Sequence, residues 1–180
     1  SWWHFDFLEG LNGIEGYETE SGIQFHGVQS RHRNVRVVGK IDFPSDHPFL
    51  DHFRYLKSIT KKAIPKMTIP SPSVLHFRGG SKLIDKKIYP NLDIFFEDLG
   101  KAYKKAIQAF YEIGCRYLQL DDTVWAYLCS EEQRRLCVER GDDPEKLMVY
   151  YANTLNYALA NKPEDLTVSM HICRGNYKST

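Results

Sequence analysis

The stretch DIFFEDLGKAYKKAIQAFYEIGCRYLQLDD, residues 93–122, places an amphipathic helix directly before a short apolar strand. Apolar side chains recur along its first part at the spacing of one helical face: Phe95, Leu99, Tyr103, Ala106 and Phe110. Gly114 stands where a C-terminal cap glycine is expected. The following CRYLQLDD, residues 115–122, is predicted to be a strand that ends in two aspartates. Alternating helices and strands are typical of an α/β protein.

The same alternation continues on both sides of this stretch. Strands are predicted for VRVVGKIDF (35–43) and LTVSMHIC (166–173), and an extended segment broken by Pro70 and Pro72 for PKMTIPSPSVLHF (65–77). A helix is expected within residues 45–63, with Asp46 as its cap and Pro48 in its first turn.

Two further helices are predicted between the strand at 115–122 and the strand at 166–173. Ser130 and Gln133 have the spacing of a capping box for a short helix that ends at Gly141. Asp143 and Pro144 open the next helix.

Strands that alternate with helices predict right-handed βαβ units and a parallel sheet, with ligand chemistry at the carboxyl ends of the strands. Four such strands are half of a (β/α)8 TIM barrel. We therefore expect residues 1–180 to be part of one TIM-barrel catalytic domain, an internal portion with about four central strands. Residues 1–34 are predicted to be an insertion or lid and residues 35–180 four βα units. On this interpretation barrel strands precede Ser1 and follow Thr180, and the segment alone would aggregate or stay molten.

Composition limits the classes of function. The chain has 180 residues, 42% of them hydrophobic, and 24 basic against 23 acidic side chains, which is typical of a soluble domain and predicts neither nucleic-acid nor membrane binding. The sequence has no run of 18 apolar residues and no signal-peptide pattern, so the expected compartment is the cytoplasm. Its four cysteines are too irregularly spaced for a disulfide framework, and a zinc site would have to recruit ligands from distant segments.

His171 and Cys173 lie two positions apart near the end of the last predicted strand. Side chains at i and i+2 of a strand project to the same face, and an imidazole beside a thiolate suits zinc. An isolated pair of this kind is more often an ordinary core histidine and a buried thiol. The residues that follow, RGN at 174–176, supply a cation, a flexible residue and an amide where the strand gives way to a loop. That arrangement favours a site at the strand end.

Other polar residues are expected at neighbouring strand ends. Asp121 and Asp122 end one predicted strand, and Ser71, Ser73 and His76 stand at the exit of another. The two carboxylates also have a structural interpretation, as a helix cap or a salt-bridge partner.

Three segments together resemble a known family. IGCRYLQLDDTVWAYL (113–128), VSMHICRGNY (168–177) and PKMTIPSPSVL (65–75) resemble the cobalamin-independent methionine synthases, specifically their short single-barrel relatives, and the likeness runs over nearly the whole chain. The resemblance implies a zinc-dependent methyltransferase on a barrel related to uroporphyrinogen decarboxylase. Its expected reaction is methylation of the homocysteine thiol to give methionine.

The resemblance also assigns residues. Zinc in the family is held by a histidine, two cysteines and a glutamate, and His171 and Cys173 match the first two of these ligands. Asp121 matches the carboxylate that anchors the amino group of homocysteine. The family usually continues Asp-Glu-Pro, whereas this sequence has Asp122-Thr123, so the role of Asp122 is left open.

The second substrate is less well defined by the residues. Arg174 could hold a carboxylate of the substrate or donor, or form a surface ion pair, and His76 is a further candidate for substrate binding. The pterin-stacking tryptophan of the family has no clear counterpart, so His76, Phe77 and Trp125 remain candidates only. The donor could be a methyl-folate, a methylated corrinoid or a methylthio compound.

Two other functions stay open. One is a metal-free barrel lyase of the uroporphyrinogen decarboxylase type, in which carboxylates and basic residues act without zinc. The other is a non-catalytic barrel fragment or binding module. Zinc content separates the methyltransferase from both.

Overall fold

The computed structural model of the chain describes residues 3–20, 24–25, 28–29, 32–77 and 79–173. Its helices are α1 (Trp3–Glu9), α2 (Pro48–Ile59), α3 (Pro72–Phe77), α4 (Leu92–Glu112), α5 (Val124–Leu128), α6 (Glu131–Glu139) and α7 (Pro144–Leu159), with a 3-10 turn at Gly80–Leu83. Its strands are β1 (Asn12–Glu18), β2 (Gln24–Phe25), β3 (Val28–Gln29), β4 (Arg33–Asp42), β5 (Lys66–Pro70), β6 (Tyr117–Asp122) and β7 (Thr167–Ile172).

The central sheet is parallel and has the order β5-β6-β7. Its register pairs Pro70 with Asp121 and Asp121 with His171, so the carboxyl ends of the three strands meet at one edge. Helix α3, the 3-10 turn and α4 connect β5 to β6, and α5 to α7 connect β6 to β7. The predicted strand–helix alternation is therefore confirmed between residues 66 and 172.

The predicted strand at 35–43 forms as β4 but does not belong to this sheet. It pairs antiparallel with β1, with Ile14 opposite Val37. Along β4 buried Val35 and Val37 alternate with exposed Arg36 and Val38, a pattern of one covered face that antiparallel pairs tolerate and central parallel strands do not. The described sheet thus holds three parallel strands instead of the predicted four, and no closed barrel is present in the residues described. The assignment of 1–34 as an insertion or lid stays a prediction.

Two local predictions were wrong. The segment at 65–77 is extended as far as Pro70, where a break was predicted, but Pro72–Phe77 forms α3 instead of an extended segment, because a proline at the first helical position has a backbone angle that suits a helix start. The cap of α2 is His47 instead of Asp46: its Nδ1 accepts the Phe49 N–H at 3.2 Å, while Nε2 bonds the Phe7 carbonyl at 2.9 Å. His47 thereby links α1 to α2.

The other helix limits follow the sequence closely. Helix α4 buries the predicted stripe and is followed by Gly114 at φ 94°, a left-handed conformation that glycine adopts without strain. Ser130 caps α6, and Asp143 caps α7 with Pro144 at its first position. These three predictions are confirmed.

A single hydrophobic core lies between the sheet and the surrounding helices. Its largest fully buried side chains include Tyr103, Tyr151, Phe7, Phe53, Phe95 and Phe110. None of the helices in the described part of the chain has the length and apolar character that crossing a membrane requires.

Candidate functional site

Asp121 and His171 lie side by side at the carboxyl edge of the parallel sheet. They are register partners on β6 and β7, so their side chains project to the same face. Asp121 Oδ1 is 3.8 Å from His171 Nε2, which is longer than a hydrogen bond but within ion-pair range for a protonated imidazole. The structure therefore brings together two of the residues that the sequence predicted for the site.

The Asp121 carboxylate is partly sheltered, with 29% of its side chain exposed. Burial raises the pKa of Asp121 above its ordinary value, the neighbouring Asp122 adds to the rise, and His171 opposes it. The ionised form of a carboxylate in such surroundings is stabilised by a cationic partner. An ammonium group next to Asp121 could be that partner.

Cys173 follows the last residue of β7 and is half-buried. Its N–H donates to the Asp122 carbonyl at 3.0 Å, which fixes the end of β7 against β6. An imidazole and a thiol at one strand end are suitable zinc donors but only part of a tetrahedral set. Within residues 3–173, apart from the undescribed gaps, no group of three or more His, Cys, Asp and Glu side chains could hold a metal ion. Arg174 lies outside the described residues.

Asp122 points to the opposite face and has no exposed surface. Its Oδ2 accepts the Ser73 hydroxyl at 2.5 Å, and its Oδ1 accepts the Val124 N–H at 2.6 Å at the start of α5. The structural interpretation of the double carboxylate therefore holds for Asp122, whereas Asp121 faces the candidate site.

His76 belongs to a buried hydrogen-bond network. Its Nδ1 is 2.7 Å from the Tyr151 hydroxyl and its Nε2 is 3.2 Å from Ser81 Oγ, which donates to Asp142 Oδ1 at 2.5 Å. Burial lowers the pKa of His76 to about 4, although Asp142 favours protonation. Both ring nitrogens face protein groups, so direct substrate binding by His76 would require this network to open.

Sequence reasoning missed this network because its partners are far apart in the chain. His76 is separated from Tyr151 by 75 residues, and Ser81 from Asp142 by 61. A single sequence carries no signal for such pairs beyond the individual polar residues.

The two aromatic candidates for a second substrate contact other rings. Phe77 stacks on Tyr127 at 5.6 Å between ring centroids, and the Arg140 guanidinium lies 5.3 Å from the Phe77 ring. Trp125 meets Tyr151 edge-on at 6.4 Å. Trp125 Nε1 is buried without a hydrogen-bond partner among the described residues.

Comparison with known proteins finds close sequence relatives. The uncharacterized proteins YxjG and YxjH of Bacillus subtilis are 53% and 51% identical to the chain over its whole length. The chain spans 47% of each of these relatives, about half their length. No protein-family model matches the chain.

Solved structures share the fold. A Listeria monocytogenes protein described as a "Putative Vitamin-B12 Independent Methionine Synthase" is 46% identical, with a TM-score of 0.74 over 98% of this chain and 47% of its own. A B12-independent methionine synthase from Shewanella sp. W3-18-1, in complex with selenomethionine, has a TM-score of 0.60 at 15% identity over 94% of this chain and 42% of its own. The second likeness concerns the fold alone. The chain is thus similar over nearly its full length to the Listeria monocytogenes protein with the description "Putative Vitamin-B12 Independent Methionine Synthase".

Proposed function

We propose that the chain carries part of the active site of a zinc-dependent methyltransferase of the cobalamin-independent methionine synthase family. The reaction moves a methyl group from a donor to the thiol of homocysteine and yields methionine. The domain that contains the site is a (β/α)8 barrel, to which this chain contributes the parallel strands β5, β6 and β7.

One observation carries the proposal: Asp121 and His171 meet at the carboxyl edge of adjacent parallel strands, where α/β folds place their ligands. The Listeria monocytogenes protein, 46% identical over 98% of the chain, adds support because it is described as a methionine synthase.

Asp121 would hold the ammonium group of homocysteine by a charge-assisted hydrogen bond. Its half-buried position suits this role, because a sheltered carboxylate is stabilised by a cationic partner. Fixing one end of the substrate directs its sulfur, and such positioning can contribute several kcal/mol to lowering a barrier.

His171 and Cys173 would hold the zinc ion, with the remaining ligands supplied by residues outside the described part of the chain. Bound zinc would keep the substrate sulfur as thiolate at neutral pH, where a free thiol of pKa near 8.5 is mostly protonated. Arg174 is a candidate for the substrate or donor carboxylate. The Cys173 N–H bond to the Asp122 carbonyl keeps this strand end beside Asp121.

The test is an assay of the purified full-length protein for zinc content and methionine formation. Homocysteine is supplied with a methyl-folate, a methylated corrinoid or a methylthio compound, each in a separate reaction. Near-stoichiometric zinc and methionine from one donor are expected. A zinc-free protein that decarboxylates an aromatic or tetrapyrrole acid would point to the lyase instead, and a protein with neither property would point to a binding module.

A further inference from the structure

Asp122 occupies the junction of all three parallel strand ends. Its carboxylate accepts the Ser73 hydroxyl from α3, just after β5, and the Val124 N–H from α5, just after β6. Its own carbonyl accepts the N–H of Cys173 at the end of β7, at 3.0 Å. One buried residue thus contacts the segment that follows each strand.

The neighbouring backbone extends this connection. The carbonyl of Asp121 accepts the Ser71 N–H at 2.8 Å, so both carbonyls of the Asp121–Asp122 pair are bonded to adjacent strand ends. Consecutive strand residues face opposite sides of the sheet. The hydrogen bonds of Asp122 therefore lie on the face opposite the Asp121 side chain and fix the backbone that carries it.

The burial of Asp122 makes the loss of these hydrogen bonds costly. The side chain is 0% exposed, as is Ser71, and Ser73 is 1% exposed. A buried carboxylate that loses its hydrogen-bond donors bears a large desolvation cost, so its geometry is tightly specified. A group fixed in this way can hold neighbouring backbone to the tolerance that a metal or substrate site needs.

We infer that Asp122 is a positioning residue of the strand-end site. It touches neither substrate nor metal, and it sets where Asp121 and Cys173 present their side chains by joining the segments after β5, β6 and β7. The expected effect on zinc and homocysteine binding rests on the proposed function, whereas the positioning of the strand ends rests on the hydrogen bonds alone.

The test compares Asp122→Ala, Asp122→Asn and Ser73→Ala in the full-length protein with Thr154→Val as the control. Thr154 is also buried, at 4% exposure, and its hydroxyl donates to the Tyr150 carbonyl within α7, away from the strand ends. Amide hydrogen exchange, zinc affinity and the homocysteine KM are measured on each folded variant.

Asp122→Ala should accelerate exchange at the Cys173 and Val124 amides at least tenfold. The Thr167 amide should be unchanged, because it is bonded to the Arg116 carbonyl at the far end of β7. Zinc affinity should fall and the homocysteine KM should rise, each about tenfold or more. Asp122→Asn should recover part of the zinc affinity and part of the wild-type KM, since its amide can still accept from the Val124 N–H and donate to the Ser73 hydroxyl.

Unchanged exchange at Cys173 in Asp122→Ala would overturn the inference. So would a loss of melting temperature matched by Thr154→Val with zinc affinity and KM intact, because that pattern belongs to a residue with a purely structural role. If the wild-type protein holds no zinc and forms no methionine, the proposed function fails, and the exchange rates still decide whether Asp122 positions the strand end.

Discussion

At the scale of single residues, side chains alternate between the two faces of β6, so the adjacent carboxylates of Asp121 and Asp122 lie in different surroundings. Asp121 faces the open side of the sheet beside His171, whereas Asp122 is enclosed with Ser73 on the other side. The two groups are chemically identical, so their surroundings alone make Asp122 a buried hydrogen-bond acceptor and leave Asp121 accessible for the proposed binding role.

Asp121→Asn should raise the homocysteine KM at least tenfold and leave zinc bound. The amide keeps the shape of the carboxylate but loses the charge that attracts an ammonium group. Steady-state kinetics and metal analysis of the full-length variant measure both effects. Asp165→Asn, an exposed aspartate paired with Arg116, is the control and should leave KM unchanged. Loss of zinc from Asp121→Asn would show that the carboxylate serves the metal instead.

Cys173→Ser should lower zinc occupancy, because a hydroxyl does not replace a thiolate as a ligand. The fold should survive, since the N–H bond from residue 173 to the Asp122 carbonyl is unaffected by the side chain. Metal content after dialysis is the measurement. Cys129→Ser changes an exposed cysteine after α5 and should retain full zinc. Wild-type zinc affinity in Cys173→Ser would contradict its role as a ligand.

His76 should make the protein less stable in mild acid. Its folded-state pKa of about 4 lies below the ordinary value near 6.5, so the unfolded chain binds the proton more readily. The stabilisation from His76 is therefore complete above pH 6.5 and is lost as pH falls towards 4. Between pH 7 and pH 5 the loss should be about 2 kcal/mol.

The measurement is urea unfolding of the full-length protein at both pH values. His76→Gln should show a smaller drop between pH 7 and pH 5 than the wild type, whatever its stability at pH 7. Thr154→Val, which removes a buried hydroxyl that does not titrate in this range, should keep the wild-type drop. An equal drop in all three proteins would rule out His76 as the cause.

At the scale of elements, α3 and the 3-10 turn after it contact the loop between α6 and α7. Ser81 from this turn donates to Asp142, and the Arg140 guanidinium donates to the Phe77 carbonyl at 3.1 Å. Gly80, directly before Ser81, has a φ of 64°, and a Cβ there would lie 2.5 Å from Asp142 Oδ2. The turn packs closely only because this residue lacks a side chain.

Gly80→Ala should therefore lower the free energy of unfolding by about 2–3 kcal/mol, combining backbone strain with a collision at a buried carboxylate. Gly141→Ala is the matched control. Gly141 also has a positive φ, 91°, but a Cβ there would meet nothing within 4 Å, so about 1 kcal/mol of strain is expected. Urea unfolding of both variants gives the difference. Equal losses would mean that the contact with Asp142 relaxes without cost.

Local pattern predicted most elements, and long-range pairing accounts for the error in sheet membership. The stripe of α4 and the cap of α7 could be predicted because both depend on neighbouring residues. The pairing of β4 with β1 could not, since an isolated strand pattern does not name its partner. The same holds for the site: the positions of Asp121 and His171 at strand ends follow from local pattern, whereas the bond from Ser73 to Asp122 joins residues 49 apart.

At the scale of the whole molecule, the parallel sheet has an exposed apolar margin. Met170 and Ile172 on β7 are 38% and 52% exposed, and β7 pairs with β6 alone in the residues that the structure describes. Parallel sheets are normally covered on both faces, and an open apolar edge invites association. The proposed barrel would cover this margin with a further strand and helix.

Ile172→Lys in the full-length protein should accordingly lower the free energy of unfolding by about 2–4 kcal/mol, because it would place a charge in a covered position. Val138→Lys is the control: Val138 is 60% exposed on α6, and its replacement should change stability by less than about 0.5 kcal/mol. Urea unfolding of both variants is the measurement. If Ile172→Lys is tolerated as well as Val138→Lys, the outer face of β7 stays uncovered in the full-length protein and the barrel proposal fails, since the helices of a (β/α)8 barrel cover the outer face of every strand.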